Sequence, residues 1–186
     1  MHPHDATMIE LPIGEAVQLI SPRLTVLVNT FDEKGDLNSS PYSWVYPLSS
    51  NPPLIGISIG GKHKLTYTNA KTTGEFVVCI VSEDFGQQAV ACEAAHRPGD
   101  KLWEKEGLHA ERSSKVKVPR IREAKAYLEC KVTQFIELKG DHVILIGEVL
   151  QAGIQQGGLD SVRPLLHDGG ERFRTVGREI ILKRQR

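Results

Sequence analysis

Residues 38–54 read N-S-S-P-Y-S-W-V-Y-P-L-S-S-N-P-P-L, and this stretch decides the fold class. Its first half belongs to an extended pattern that runs from Leu37 to Tyr46. The preceding run, Arg23–Thr30, is rich in β-branched residues, and turn-forming residues at 32–36 separate the two runs. They therefore predict an antiparallel hairpin. The stretch ends at 51–53, where two prolines break the chain, because proline donates no backbone hydrogen bond and restricts the residue before it.

Most of the sequence outside this hairpin also has a pattern typical of extended strands. Further strands are predicted at 54–59, 75–81, 128–138, 142–154 and 179–183, and the turn residues 139–141 predict a hairpin of the two long strands. Short helices are predicted at 64–71, where Gly74 follows as a stop signal, at 84–95 and at 101–106, and residues 164–170 are predicted as a polar loop. Six or seven strands with helices inserted between them, not alternating with them, favour a mostly β barrel with a few inserted helices. No repeat or linker interrupts the pattern, so residues 1–186 are predicted to form one domain.

Composition excludes several classes of protein. The 23 Lys and Arg residues balance 23 Asp and Glu residues, which argues against a nucleic-acid partner. A local basic excess lies near the C-terminus and is interpreted as a solvated last strand and tail. No stretch approaches the roughly 18 apolar residues of a membrane helix, and the first residues lack the pattern of a secretory signal. We therefore expect a cytoplasmic protein without a membrane partner.

The three cysteines, Cys79, Cys92 and Cys130, are odd in number and widely spaced. They form no C-x-x-C motif, so neither a metal site nor a disulfide framework is predicted. Cys79 lies within an apolar strand pattern and is interpreted as a small buried residue, not a nucleophile. We expect all three to be reduced thiols.

Common nucleotide-binding and hydrolase motifs do not occur in the sequence. Three segments instead carry a resemblance by their order and spacing: residues 38–54, residues 63–69 (H-K-L-T-Y-T-N) with T-G-E-F-V-V after them, and residues 164–170 (P-L-L-H-D-G-G). In this order they resemble the flavin reductase-like, FMN-binding split-barrel family, which includes flavoredoxins and ferric reductases. The likeness runs from about Ser21 to Phe173. It implies a split β-barrel that binds FMN, and a homodimer.

The resemblance implies that the first segment meets the flavin ring. The polar edges of the ring need hydroxyl or backbone partners, and a binding site needs a few convergent polar groups in an apolar wall. The implied cofactor-binding residues of this segment are Asn38, Ser40, Pro41, Tyr42, Ser43 and Trp44. Asn29 and Thr30, at the end of the first predicted strand, are candidates for the pyrimidine edge of the ring. The alternatives are that the serines only complete a strand edge, and that Trp44 and Tyr46 pack in the core.

The second segment is where the FMN phosphate lies in this family. Lys64 offers a positive charge, Thr66 a hydroxyl, and the start of the predicted helix offers free amides. Ser58, with Lys62 or His63, is a candidate for assisting them. The alternative interpretation is a surface lysine and an ordinary helix-starting threonine.

His167 is the candidate catalytic residue of the third segment. Its imidazole would hydrogen-bond a nicotinamide amide or help to hold a donor at the flavin face. It need not act as an acid or base, because the hydride chemistry belongs to the flavin. An exposed histidine in a glycine-rich loop is the alternative.

Three functions remain open at this point. The leading hypothesis is an FMN-dependent oxidoreductase that passes electrons from a pyridine nucleotide or redox partner to free flavin, ferric iron or another acceptor. The second is a non-catalytic FMN storage or electron-carrier protein. The third is an oxidase of the pyridoxamine-phosphate type, which the segments at 38–43 and 164–170 fit less well. Fold alone does not decide between them.

Overall fold

The computed structural model describes residues 8–177, 180 and 182. Most of the predicted final strand at 179–183 and most of the basic C-terminal tail lie outside the described residues. The described chain begins with an exposed 3₁₀-helix, Ile13–Ile20. No helix among these residues is long and apolar enough to cross a membrane.

A seven-stranded antiparallel sheet forms the body of the molecule, with the strand order β3-β2-β6-β9-β10-β5-β4. Its strands are β2 (Val26–Phe31), β3 (Leu37–Tyr42), β4 (Val45–Ser50), β5 (Pro53–Ile59), β6 (Glu75–Ile80), β9 (Ala126–Glu137) and β10 (Val143–Ile154). The predicted first hairpin is confirmed as β2 and β3, and the predicted hairpin around 139–141 is confirmed as β9 and β10.

The two edges of this sheet are β3 and β4, and only Ser43 and Trp44 connect them. Two edge strands joined by two residues require the sheet to curl until its edges meet at that end. The result is the predicted split β-barrel. The prediction of one continuous strand over 37–46 was wrong, because the chain bends at Ser43 and β4 then pairs with β5 on the opposite edge.

Smaller elements surround the barrel. They are β1 (Arg23–Leu24), α1 (Leu65–Thr73), α2 (Gly86–Ala91), α3 (Leu102–Lys105), β7 (Ala110–Glu111), β8 (Arg120–Ile121), α4 (Leu159–Val162), β11 (Leu165–Gly169) and β12 (Arg172–Thr175). Helix α1 matches the prediction and ends at Gly74, whose φ of 73° suits the left-handed C-cap position. The predicted helix at 84–95 is shorter, a 3₁₀ turn at Glu83–Phe85 followed by α2.

Residues 164–170 are not a loop, which corrects the prediction. Strand β11 occupies most of this segment and lies between β1 and β12 in a three-stranded antiparallel sheet. Leu165 links this sheet to the barrel, because its N–H donates to the carbonyl of Val81 and its carbonyl accepts from Thr25 N–H, at 2.8 and 2.9 Å.

Successive residues of the barrel strands point to opposite faces and pack in two separate apolar clusters. One cluster includes Val26, Val28, Phe76 and Val78, and the other includes their neighbours such as Leu27 with residues from α2 and the segment 108–121. The three cysteines are buried in these clusters and none forms a disulfide. Cys79 is fully buried, as predicted, and burial raises the pKa of its thiol to about 12.

A buried carboxylate fixes the segment before β8. Glu129, on β9, is fully buried. Its two oxygens accept hydrogen bonds from the backbone N–H groups of Ser114 and Lys115 at 2.5–3.0 Å. Backbone donors thus satisfy the carboxylate oxygens, and Glu129 holds residues 114–115 against β9.

Candidate functional site

A cleft of about 440 Å³ opens where the two barrel edges meet. Strand β3, the Ser43–Trp44 bend, β5 and the start of α1 form its walls, and the loop after α2 lines one side. Nine of the eleven predicted cofactor-binding residues line this cofactor cleft: Asn38, Ser40, Pro41, Tyr42, Ser43, Trp44, Ser58, Lys64 and Thr66. Residues distant in sequence therefore converge on one concave surface.

Asn29 and Thr30, the other two predicted cofactor-binding residues, do not line the cleft. Both are fully buried on β2. The Asn29 amide donates to the carbonyl of Pro119 at 2.8 Å and accepts from the Ser39 hydroxyl at 2.7 Å. Thr30 accepts a hydrogen bond from Asn69 at 3.3 Å. Their polar atoms hold the barrel to its neighbouring segments instead of facing the cleft.

A hydrogen-bonded network forms the floor of the cofactor cleft. The Asn38 amide donates to the hydroxyls of Ser40 and Thr66, at 3.3 and 3.4 Å. Its carbonyl oxygen lies 2.9 Å from His96 Nε2, while His96 Nδ1 lies 2.7 Å from the carbonyl of Ala94. Both ring nitrogens thus face carbonyl oxygens, and His96 holds the loop after α2 against the floor of the cleft.

The mouth of the cleft at α1 suits an anion. Lys64 is the N-cap residue of α1 and is exposed. The first turn of a helix leaves its amide N–H groups without intrahelical partners and carries a partial positive charge. Thr66 lies in this turn with its side chain buried against the network. The Lys64 ammonium and the helix N-terminus together supply the donors that a phosphate needs.

Two aromatic residues line the opposite part of the cleft. Trp44 stacks on His142, with ring centroids 4.7 Å apart. Tyr42 is largely buried, and burial raises the pKa of its phenol even though a hydrogen bond with Thr66 lowers it. The phenol therefore remains a neutral donor at physiological pH. Tyr46, on β4, packs over Gly56 of the neighbouring strand β5.

Histidines 63, 96 and 142 line the cleft although the sequence did not mark 96 and 142 as candidates. They come from three separate loops, and a lone histidine carries no spacing signal. His63 follows β5, His96 follows α2, and His142 lies between β9 and β10. The fold brings these three positions together at the cleft.

A second, larger space adjoins the cofactor cleft and is called here the donor chamber. It measures about 1000 Å³ and shares Pro41, Tyr42, Ser43 and Glu93 with the cleft as a common wall. His167, on β11, lines it, and its Nδ1 lies 2.9 Å from the Ser43 hydroxyl. Its Nε2 donates to the carbonyl of Gly170 at 3.0 Å, so in the neutral ring Nδ1 accepts from Ser43. This hydrogen bond links Ser43, in the first sequence segment (38–54), to His167, in the third (164–170).

The residues of the cofactor cleft fit FMN by the chemistry of their donor set. Lys64 and the α1 N-terminus provide positive charge and N–H donors for a phosphate. Ser40 and Ser43 provide hydroxyls for ring edges, and Trp44 provides an apolar aromatic wall. This combination of a curled antiparallel sheet and a polar cleft at its seam defines a split-barrel flavoprotein.

Comparison with known proteins gives the same class. Residues 20–177 match the family described as "Flavin reductase like domain". An uncharacterized protein of Aquifex aeolicus is 34% identical over 176 residues, which is 92% of this chain and 86% of that protein. The chain therefore belongs to the flavin reductase-like family, and it is a split-barrel flavoprotein oxidoreductase.

Solved structures superpose over nearly the whole chain. Nitrilotriacetate monooxygenase component B from Bacillus cereus has a TM-score of 0.87 at 26% identity, with 96% of this chain and 100% of that chain covered. Pseudomonas fluorescens 2-nitrobenzoate 2-nitroreductase has a TM-score of 0.81 at 25% identity, with 96% of each chain covered. These similarities confirm the mostly β, split-barrel fold predicted from the sequence.

Proposed function

We propose that the chain binds one FMN in the cofactor cleft and acts as an FMN-dependent oxidoreductase. One observation carries this proposal: the first two sequence segments line the cofactor cleft, and the third lines the donor chamber, which shares a wall with the cleft. Lys64, Thr66 and the amides of the first turn of α1 would hold the phosphate, and Ser40, Ser43 and Trp44 would hold the ring. When bound, the flavin supplies the capacity to accept and release two electrons.

The donor chamber favours catalysis over storage of the cofactor. A carrier needs only the cofactor cleft, whereas this chain keeps a second space against the same wall. His167 and Ser43 are hydrogen-bonded there and would orient the molecule that exchanges electrons with the cofactor. We propose a pyridine nucleotide or a redox partner as the donor, and free flavin, ferric iron or another small molecule as the acceptor.

The first test is cofactor binding. The purified protein should be yellow, or should become yellow on addition of FMN, with one FMN per chain by absorption. A colourless protein that does not take up FMN contradicts the proposed function.

The second test separates an oxidoreductase from a storage protein. His167→Ala should leave FMN affinity nearly unchanged and should slow reduction of the bound flavin by the preferred pyridine nucleotide, because a positioning contact acts on the reaction complex. His109→Ala is the matched control, since His109 pairs with Glu123 and lines neither cavity. Stopped-flow bleaching measures the rates. Equal reduction rates for wild type and His167→Ala would show that His167 has no part in the reaction. If neither NADH nor NADPH reduces the bound flavin, the electron donor is a protein partner or the chain only stores FMN.

We further propose a cytoplasmic location, without nucleic-acid or membrane partners. The unpaired, buried cysteines support a reducing compartment. Fractionation of cells that express the tagged protein would test the location.

A further inference from the structure

The donor chamber differs from the cofactor cleft in charge. Three carboxylates line the chamber, Glu83, Glu93 and Glu171, and no lysine or arginine among the described residues does. The cofactor cleft has Lys64 and three histidines and only one of these carboxylates, Glu93. The chamber thus carries only carboxylates among its charged side chains, whereas the cleft sets Lys64 against its one carboxylate.

Two of the three carboxylates are not neutralised by neighbouring cations. Glu83 pairs with Arg163 at 2.6 Å. Within the described part of the chain, Glu93 and Glu171 have no ion-pair partner, and the nearby Arg174 is held by Asp168 at 2.7 Å. The chamber therefore retains negative charge on the walls formed by the end of α2 and the β11–β12 turn.

The remaining walls suit a flat molecule with an uncharged polar group. Phe173 stacks on His167, with ring centroids 4.9 Å apart and an interplanar angle of 29°. Val90 and Leu165 add apolar surface. Thr25 also lines the chamber; its side chain is 2% exposed, and its hydroxyl has no hydrogen-bond partner among the described residues.

We propose that the donor chamber selects planar organic molecules that are uncharged or cationic, and disfavours anions through Glu93 and Glu171. The inference rests on the proposed function, because it concerns the molecule that meets the cofactor across the shared wall. A nicotinamide ring satisfies this rule, whereas the pyrophosphate of a dinucleotide must lie outside the carboxylate-lined walls. Substrates with a carboxylate on the ring are excluded as good ligands.

Three probes of one shape and different charge test the proposal: nicotinamide, 1-methylnicotinamide and nicotinate. Their binding to the FMN-loaded protein is measured by calorimetry at low ionic strength. Nicotinate should bind at least about fivefold more weakly than nicotinamide, and 1-methylnicotinamide at least as tightly, since exposed charges interact through partly screening solvent. The difference should shrink in concentrated salt.

The double variant Glu93→Gln/Glu171→Gln should reduce the discrimination to less than about twofold, because it removes the charge and keeps the shape. The matched control is Glu33→Gln/Glu104→Gln, two exposed carboxylates that line neither cavity. That control should discriminate like the wild type.

The absorption spectrum is recorded first, so a failure to bind FMN is seen as a failure of the proposed function. If FMN is bound and nicotinate binds as tightly as nicotinamide, the proposal is overturned. The same holds if none of the probes binds, or if the double variant still discriminates as the wild type does.

Discussion

At the scale of the residue, Lys64 tests the phosphate end of the cleft. Lys64→Ala should weaken FMN by about 1.5 kcal/mol, the lower end of the range for hydrogen bonds to charged groups, because the side chain is exposed. Riboflavin, which has no phosphate, should lose almost nothing. Titration of the apoprotein with each flavin, followed by fluorescence quenching, gives the two affinities.

The control for this prediction is Lys71→Ala, on the last turn of the same helix and outside the cleft lining. It should bind both flavins like the wild type. Equal weakening of FMN and riboflavin in Lys64→Ala would mean that Lys64 affects folding or the ring site, and not the phosphate.

Asp168 gives a prediction for pH dependence. The hydrogen bond from Arg174 lowers the pKa of this carboxyl below its ordinary value. A lowered folded-state pKa contributes stability above the unfolded value of about 3.9, and this contribution is lost as the pH falls through the folded pKa. Asp168→Asn should therefore be less stable than wild type at pH 7, and the difference should vanish in strong acid.

Urea unfolding at pH 7, 5 and 3 measures that difference. Asp160→Asn is the control, because Asp160 is exposed and has no ion pair among the described residues. A gap between Asp168→Asn and wild type that stays constant down to pH 3 would contradict the assignment of the ion pair.

At the scale of the element, the sequence predicted what local chemistry determines. Helix α1 ends where Gly74 adopts a positive φ, and the β9–β10 hairpin follows from its turn residues. Strand β11 was missed because its glycines and polar residues resemble a loop. Its backbone partners are β12, which follows it directly, and β1, which lies far away in sequence and gives no local signal.

Gly147, on β10, is required by close packing against β6. A Cβ at this position would lie 2.4 Å from the ring of Phe76. Gly147→Ala should lower the free energy of unfolding by about 1–3 kcal/mol, as is usual for overpacked cores. Chemical denaturation measures it.

Gly140→Ala is the matched control, because no atom lies within 4 Å of its Cβ position. Combining Gly147→Ala with Phe76→Leu should cost less than the sum of the two single changes, since the smaller side chain relieves the clash. Additive costs would show that the clash is not the cause.

At the scale of the whole molecule, the order and spacing of the sequence segments were enough to predict many of the residues that line the cleft. Nine predicted residues meet because two sheet edges join at Ser43–Trp44. Asn29 and Thr30 were expected there because they end a strand, but their side chains are buried by contacts with residues far away in sequence. Burial of this kind depends on the tertiary fold and has no local signal.

We propose that the protein is a homodimer, as its resemblance to the family implied. The segment 8–20 exposes a series of large apolar side chains, among them Met8 at 91% and Ile13 at 89%. Exposed apolar patches mark association surfaces in soluble proteins. Light scattering should give twice the chain mass, and Ile13→Lys/Ile20→Lys should shift the equilibrium towards the monomer.

The control for assembly is Leu159→Lys, an equally exposed apolar residue on α4 that lies far from this segment in sequence. It should leave the mass unchanged. A monomer with FMN fully bound would contradict the proposed dimer.

The shared wall of the two cavities also bears on how such a protein could be redesigned. Gln87, Val90 and Glu171 line the donor chamber and not the cofactor cleft, whereas Pro41, Tyr42 and Ser43 line both. Libraries restricted to the first group would vary the preferred small molecule while sparing retention of the prosthetic group. Changes at the second group would alter both properties together, so directed evolution of new substrates should begin on α2 and the β11–β12 turn.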